Sequence, residues 1–208
     1  MKALVVSYLP RGDQSHTKLL MDCFDAETKE AGIEVEHLNL LESQPDFFDH
    51  DRVMAYSLRN YMGQTLPPEQ AALMSKMDRM TEQLKEADAV VVVFPMYNFS
   101  MPALVKAYFD SVMLKGETWD INDNGYAGLM KGKKALILLT SGGDYTKPGM
   151  EGREHAVSLA RTCFQFMGYS QIDDISIGGA NSDPDVLSDK ITASHDKIKG
   201  IISGWAKQ

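Results

Sequence analysis

Short segments that are apolar or alternate between apolar and polar residues recur along the chain. They predict β-strands, because a period of two places successive side chains on opposite faces of a sheet. The predicted strands are Ala3–Tyr8, Ile33–Leu40, Ala89–Phe94, Lys134–Thr140 and Ile172–Ile177. The central strands are apolar throughout, which is typical of parallel strands that are covered on both faces.

Each predicted strand is followed by a segment whose apolar residues recur at helical spacing. The predicted helices cover Ser15–Gly32, Leu66–Ala87 and, approximately, Pro102–Leu114, Gly152–Met167 and Pro184–Lys207. Gly32 stands where a helix-ending glycine is expected. Residues 42–66 show no clean period and receive no assignment, and the glycine-rich polar stretch before the fourth strand is interpreted as a loop.

Strands that alternate with helices predict a parallel sheet with helices on both faces. Right-handed crossovers make this a doubly wound α/β fold, and five strands suit the flavodoxin-like order 2-1-3-4-5. We expect residues 1–208 to form a single domain of this kind, because no repeat, linker or low-complexity segment interrupts the pattern.

The composition narrows the class of partner. The chain has 208 residues, 44% apolar and 24% charged, enough for one substantial core. Its net charge of −8 argues against nucleic acid or an anionic membrane as the main partner, because either would call for a basic face. Cys23 and Cys163 lie in apolar helical stretches and are interpreted as buried reduced thiols. No spacing of cysteines or histidines suggests a metal site.

The beginning of the sequence and its apolar runs bear on localisation. The chain starts directly with a strand and shows no leader pattern. The longest apolar run, Ala89–Met96, is far too short to span a bilayer. We therefore expect a cytoplasmic protein with no membrane insertion.

In a doubly wound sheet, ligands bind outside the carboxyl ends of the strands, near the point where the strand order reverses. The first loop at this edge leads into a helix that begins with Ser15, His16 and Thr17, and these residues, with Arg11, form a candidate phosphate site. Hydroxyls and free amides at a helix N-terminus bind phosphate, although plain helix capping is the alternative. The loop matches neither a Walker loop nor G-x-G-x-x-G, which favours one terminal phosphate over a pyrophosphate.

The second loop at this edge is rich in rigid and flat residues. Prolines at both ends stiffen it, so the amides between them can be held in fixed directions. Its aromatic and methionine side chains offer surface for a planar ring system, and its asparagine offers a side-chain amide and a backbone N–H at the edge of such a ring. The alternative is that Tyr97 and Phe99 seal the end of the core. The candidate residues are Pro95, Met96, Tyr97, Asn98 and Phe99.

The third loop has two consecutive glycines directly after an apolar strand. Paired glycines permit positive φ and a close approach of the backbone to a ligand. A simple turn is the alternative, but it does not explain glycines at the same edge as the other two loops. The candidate cofactor-binding residues of this loop are Thr140, Ser141, Gly142 and Gly143.

The stretch PMYNFSMPALVKAYFD, residues 95–110, resembles the signature of the FMN-dependent NADH:quinone oxidoreductases and azoreductases of the flavodoxin-like superfamily. In that family the matching Pro-Met-Tyr-Asn-Phe lies along the isoalloxazine ring. TSGGDY is similar to the family's Ser-Arg-Gly-Gly segment beside the pyrimidine end of the flavin, and residues 115–135 are similar to the stretch between the two motifs. The order of elements matches over nearly the whole chain, and the detailed match covers residues 94–143.

Two positions depart from the family pattern. The phosphate loop reads Asp13-Gln14-Ser15 where the family has Ser-x-Ser. A carboxylate beside a phosphate would be repelled, so we expect Asp13 to point away from it, toward Arg11. Ser141 replaces the usual arginine of the third loop, which removes a cation near the flavin or the entering substrate.

The resemblance implies an FMN-dependent enzyme that oxidises NAD(P)H and reduces quinones, with azo or nitro aromatics as further acceptors, by ping-pong hydride transfer through the flavin. Because the flavin carries the chemistry, no catalytic acid or base is expected. Tyr145 and Trp119 are candidate substrate contacts, and Trp119 would reach the flavin of the neighbouring subunit in a homodimer. The alternative is an FMN-binding electron carrier or ancillary regulatory subunit with little turnover of its own.

Overall fold

The computed structural model describes residues 1–150, 152–181 and 183–207. The strands are β1 (Lys2–Ser7), β2 (Glu34–Asn39), β3 (Ala89–Pro95), β4 (Trp119–Asn122), β5 (Gly125–Gly128), β6 (Lys134–Thr140) and β7 (Gln171–Ile177). One parallel sheet has the order β2-β1-β3-β6-β7, and β4 and β5 form a separate antiparallel hairpin. Counted within the sheet, this is the predicted order 2-1-3-4-5, so the predicted fold class is confirmed.

The burial of each strand follows its place in the sheet. All residues of β3 except Pro95 are buried, as are all residues of β6 except Lys134, because helices cover both faces of the sheet centre. β2 forms one edge and is mostly exposed or half-buried. Each fully buried valine or leucine contributes about 1.5–3 kcal/mol. The carboxyl ends of β3 and β6 are therefore rigid supports for the loops that follow them.

The helices are α1 (His16–Glu30), α2 (His50–Tyr56), α3 (Pro68–Glu86), α4 (Ala103–Val112), α5 (Ala156–Met167) and α6 (Pro184–Trp205). α1 and α6 pack together on one face, where the rings of Phe24 and Trp205 meet edge to face at 6.0 Å. α3, α4 and α5 cover the other face, where Phe109 packs against Phe164 at 5.4 Å. Helices therefore lie on both faces, as predicted.

The unassigned residues 42–66 contain an additional helix. α2 occupies part of this stretch and continues into a π-helical turn, Ser57–Tyr61. Of the residues in α2, only Ala55 is buried, beside Met74 and Met77 of α3. One buried residue produces no hydrophobic stripe, which explains why the sequence pattern did not reveal this helix.

The hairpin of β4 and β5 occupies the stretch that was predicted to be a loop, so that prediction is wrong. Asn122 pairs with Gly125 across a two-residue turn. Gly128 of β5 lies against Gly168, which ends α5 with a φ of 91°. A Cβ on Gly128 would lie 2.3 Å from the Gly168 nitrogen, so this approach requires glycine. Strands of four residues are too short to show a clear period.

Three further properties follow from the described residues. None of their helices is long and apolar enough to cross a membrane. They contain no group of three or more His, Cys, Asp or Glu residues that could hold a metal ion. Cys163 is buried, and burial raises the pKa of its thiol to about 11. Cys23 is only half-buried, because it lies on the border of the packed face of α1 and not within it.

Candidate functional site

The loops that follow β1, β3, β6 and β7 meet at the carboxyl edge of the sheet. The first runs through a 3₁₀ turn, Gly12–Gln14, into the N-terminus of α1. Ser15 is the N-cap residue, but its hydroxyl makes no capping hydrogen bond. The capping alternative is therefore wrong for this side chain. The Ser15 hydroxyl and the amides of His16 and Thr17, which donate to no acceptor among the described residues, are available to a ligand.

A buried hydroxyl pair joins the first loop to the third. Thr17 Oγ1 lies 2.6 Å from Thr140 Oγ1, and both residues are buried. Thr140 is the last residue of β6, and its carbonyl accepts a hydrogen bond of 2.8 Å from the Met96 amide. The end of β6 therefore holds both the start of α1 and the start of the second loop.

Asp13 points into solvent, with a side chain that is 96% exposed. Its carboxylate lies 3.7 Å from Lys18 Nζ and not beside Arg11, so that part of the prediction is wrong. Lys18 is in the first turn of α1, where its ammonium reaches back over the 3₁₀ turn while also binding Asp22 at 2.8 Å. No ion pair occupies Arg11 in the part of the chain that the structure describes.

The second loop forms a tight turn with two left-handed residues. Tyr97 and Ser100 exchange two backbone hydrogen bonds of 3.0 Å, and the residues between them, Asn98 and Phe99, have φ of 47° and 71°. Positive φ at both central positions is the geometry of a type I′ turn. The amides of Asn98 and Phe99 donate to no acceptor among the described residues. The Phe99 carbonyl accepts from the His155 amide at 2.9 Å, which anchors the turn to the start of α5.

The aromatic residues of this turn face solvent. Tyr97 and Phe99 are 41% and 47% exposed, so the alternative that they seal the core is wrong. The Tyr97 ring packs edge to face against Tyr8 at 6.1 Å, and Phe99 packs in the same way against Tyr145 at 6.2 Å. Partial burial raises the pKa of Tyr97, and the nearby positive charge of Arg11 opposes this shift. Flat apolar surface is therefore displayed on both sides of the turn.

The third loop is fixed by its own hydrogen bonds. Ser141 Oγ donates to the Gly143 carbonyl at 2.8 Å. Gly142 and Gly143 do not have positive φ, so the expected use of glycine for that conformation is wrong. The requirement at Gly142 is space, because a Cβ there would lie 2.6 Å from Asn181 Nδ2. The neighbour that requires glycine here is the Asn181 side chain, and the predicted close approach of this backbone to a ligand stays a prediction.

A negative charge lies directly after the glycines. Asp144 accepts hydrogen bonds from the hydroxyl and the amide of Thr146, at 2.6 and 3.1 Å, and lies 3.3 Å from Lys190 Nζ. These contacts, first of all the hydrogen bond from the Thr146 hydroxyl, lower the pKa of Asp144 to about 2. The ionised carboxylate ties the third loop to α6.

One cleft of about 150 Å³ is lined by most of the predicted cofactor-binding residues. The predicted residues that line it are Arg11, Ser15, His16, Pro95, Met96, Tyr97, Thr140 and Gly142. Three residues that the sequence pattern did not indicate, Pro10, Ala180 and Asn181, line the same cleft. The last two belong to a fourth loop, after β7, whose sequence GGAN was the available signal. Asn98, Phe99, Ser141 and Gly143 lie on the same loops without lining the cleft, and Thr17 is fully buried at the start of α1.

The two predicted substrate contacts occupy different places. Tyr145 packs on Phe99 and lines a second hollow, of about 260 Å³, together with Ser141. Trp119 is only 8% exposed and packs against Tyr126 and Phe166, and its indole N–H donates to a backbone carbonyl at 2.9 Å. The structure thus places Tyr145 beside the candidate site and Trp119 in a separate aromatic cluster. Their contacts with substrate remain predictions.

A larger cavity lies elsewhere. A groove of about 700 Å³ runs between the segment after β2 and α3, lined by residues such as Glu42, Lys76 and Arg79. It contains none of the predicted site residues. Its mixed charges and its place away from the reversal of strand order favour the smaller cleft as the functional site.

Comparison with known proteins places the chain in a family. Its sequence matches the family model described as a flavodoxin-like fold over residues 1–201. It is 29% identical to the FMN-dependent NADH:quinone oxidoreductase of Azospirillum brasilense over 204 residues, or 97% of each chain. It is 31% identical to the protein of the same name from Nitratidesulfovibrio vulgaris over 177 residues, or 84% of each chain.

A solved structure agrees with these sequence matches. The FMN-dependent NADH-azoreductase from Bacillus anthracis, solved in complex with FMN, aligns with a TM-score of 0.86 at 25% identity, covering 99% of this chain and 100% of the other. The resemblance drawn from residues 94–143 thus extends over the whole fold. The chain belongs to the family of FMN-dependent NADH:quinone oxidoreductases and azoreductases.

Proposed function

We propose that this protein is an FMN-dependent NAD(P)H:acceptor oxidoreductase that reduces quinones, and azo or nitro aromatics as further acceptors, with both substrates using one pocket in turn. The observation that carries the proposal is the Asn98–Phe99 turn, whose unpaired amides and flat flanks lie at the same sheet edge as the free Ser15 hydroxyl. The relatives named for this activity share nearly the full length of the chain.

The residues present fit FMN at its phosphate end. Ser15 offers a hydroxyl that no backbone group uses, at the positive end of the α1 dipole. Arg11 lines the same cleft and adds a positive charge. The first loop offers only one helix N-terminus, which suits a single phosphate. These groups would hold the phosphate of FMN, while the pyrophosphate of FAD would need a second such site.

The residues at the other end of the site fit a planar ring. The amides of Asn98 and Phe99 would donate to its polar edge, and Tyr97 and Met96 would support it. The amides of Gly142 and Gly143 would stabilise negative charge on it, since preformed donors gain strength where charge develops. Bound FMN supplies hydride acceptance from a nicotinamide and delivery of two electrons to the acceptor. The protein's own role is then to bind and orient, without a dedicated acid or base.

The substrate pocket in this proposal lies over the turn. Phe99 and Tyr145 form an exposed aromatic pair at its side and would stack against a flat nicotinamide or quinone. Ser141 carries no charge, so anionic groups of a substrate meet no cation at this position. Because the sequence carries no Rossmann fingerprint that would give the dinucleotide a site of its own, NAD(P)H and the acceptor would occupy the same space one after the other.

The proposal includes a homodimer and a cytoplasmic location, where NADH and NADPH are supplied. Support for the dimer comes from large apolar residues around α2 that face solvent in the single chain. They are Phe47, Val53, Met54, Tyr61 and Met62, which are 43–64% exposed. Exposed apolar surface of this kind marks interaction sites. Light scattering of the purified protein tests it, and a monomer at micromolar concentration would contradict it.

The experiment for the activity begins with the spectrum of the purified protein. We expect a yellow protein that releases FMN, and not FAD, on heating. NADH or NADPH without oxygen should bleach it, and menadione should restore the colour. Reciprocal plots against NADH at several quinone concentrations should be parallel, whereas intersecting lines with a ternary complex would contradict a shared pocket. Flavin that neither dinucleotide reduces would instead indicate an electron carrier or regulatory subunit.

A pair of variants links that activity to the site. Ser15→Ala should weaken FMN binding about tenfold, because one charge-assisted hydrogen bond to phosphate contributes about 1.5 kcal/mol or more. Ser75→Ala is the matched control, since the Ser75 hydroxyl donates to a carbonyl on the exposed surface of α3. Equal FMN affinity in both variants would contradict the assignment of the phosphate site.

A further inference from the structure

The fourth loop at the carboxyl edge of the sheet is hydrogen-bonded to the third. The amide of Gly179 donates to the Gly143 carbonyl, and the amide of Ala180 donates to the Ser141 carbonyl, both at 2.9 Å. These two hydrogen bonds fix the backbone of Gly179 and Ala180, the two residues directly before Asn181. As a result the carboxamide of Asn181 lies over Gly142, with Nδ2 2.6 Å from the place of a Cβ there.

The carboxamide of Asn181 has no role in holding the protein together. It makes no hydrogen bond to any described residue, and Asn181 is exposed where it lines the cleft. It does not cap α6 either, because Asp183 is the N-cap residue and accepts from the Asp185 amide at 2.9 Å. An unpaired donor and acceptor, held against a glycine in the ligand cleft, are suited to bind a ligand.

We infer that Asn181 is a further cofactor-binding residue, which recognises the pyrimidine edge of FMN. The inference rests on the proposed function. A carboxamide carries a donor and an acceptor side by side. The pyrimidine edge of a flavin carries the complementary set, an N–H group at N3 between two carbonyl oxygens. With FMN bound, Asn181 Oδ1 would accept from N3–H and Nδ2 would donate to a carbonyl oxygen, beside the amide of Gly142.

Flavin titration measures this contact directly. Cofactor-free protein is titrated with FMN and with 3-methyl-FMN, which lacks the N3 donor, and binding is followed by quenching of flavin fluorescence. Asn181→Ala should bind FMN about tenfold more weakly than the wild type, as expected for loss of one or two hydrogen bonds. Asn181→Ala should bind 3-methyl-FMN with nearly the same affinity as the wild type does. The ratio of the affinity for FMN to that for 3-methyl-FMN should therefore be about tenfold lower in Asn181→Ala than in the wild type.

The control is Asn124→Ala, an exposed asparagine in the turn of the β4–β5 hairpin, which should keep the wild-type preference. Thermal unfolding and far-UV circular dichroism confirm that each variant is folded. Equal losses for both flavins in Asn181→Ala, or no loss for FMN, would overturn the inference. Wild-type protein that binds neither flavin would refute the proposed function itself, so the two failures are distinguishable.

Discussion

Replacing Thr17 with valine tests how the start of α1 is attached to the end of β6. Thr17 and Thr140 are both buried, and their hydroxyl oxygens lie 2.6 Å apart. Valine has nearly the shape of threonine, so Thr17→Val opens no cavity but leaves the Thr140 hydroxyl without its partner. An unsatisfied buried hydroxyl costs about 1–3 kcal/mol, and the free energy of unfolding should fall by this amount. For a chain of this length, each kcal/mol lowers Tm by about 2–4 °C.

The double variant Thr17→Val/Thr140→Val separates this contact from general effects of substitution. With both hydroxyls removed, no polar group of the pair is left unpaired. The loss of unfolding free energy in the double variant should therefore be smaller than the sum of the two single losses by about 1 kcal/mol or more. Urea unfolding of cofactor-free protein, followed by circular dichroism, gives these free energies without a contribution from ligand binding. Additive losses, or a Thr17→Val protein as stable as the wild type, would refute a stabilising hydroxyl pair.

Three further predictions concern the turn, the hairpin and the sheet edge. Asn98→Pro should abolish tight flavin binding, because proline cannot adopt a φ of 47° and lacks the amide, while Asn98→Gly should remain yellow. Gly128→Ala should lower the unfolding free energy by about 1–3 kcal/mol, since its Cβ would lie 2.3 Å from the backbone of Gly168. The control is Gly200→Ala in α6, where a Cβ meets no atom within 4 Å, and it should raise the unfolding free energy by about 0.5–1 kcal/mol. The Asp25 carboxylate, 3.3 Å from His37 Nε2, raises the pKa of His37, so the contribution of this pair to stability is complete below about pH 6.5 and is lost as pH rises through the folded pKa. Asp25→Asn should remove that pH dependence from urea unfolding curves.

The fold could be predicted because its signals are local and repeated. Each strand of the parallel sheet is an apolar run between helices with clear stripes, and handedness then leaves few topologies. The missed elements lack such signals. α2 buries Ala55 and is otherwise exposed or half-buried, and each strand of the hairpin has only four residues. These elements depend on contacts with α3 and α5, which no periodicity in their own sequence records.

The candidate site was predictable where it depends on strand ends and not where it depends on contacts between loops. Ser15, Met96 and Thr140 follow from their places at the ends of predicted elements. Asn181 does not, because its position depends on hydrogen bonds between the third and fourth loops. The positive φ expected at Gly142 is absent, and glycine is needed there because the Asn181 side chain leaves no room for a Cβ, which no pattern in the third loop alone records.

The turn at Asn98 and Phe99 shows why this site needs a rigid scaffold. A phenylalanine with a φ of 71° costs about 1–3 kcal/mol relative to relaxed backbone, and glycine at that position would relieve the strain. The chain retains phenylalanine and holds the strained turn between the Tyr97–Ser100 hydrogen bonds and the bond from His155. This strained turn places the exposed Phe99 ring next to the two unpaired amides of Asn98 and Phe99. Both kinds of contact are thus in place before any ligand arrives, so binding needs little further ordering of the loop.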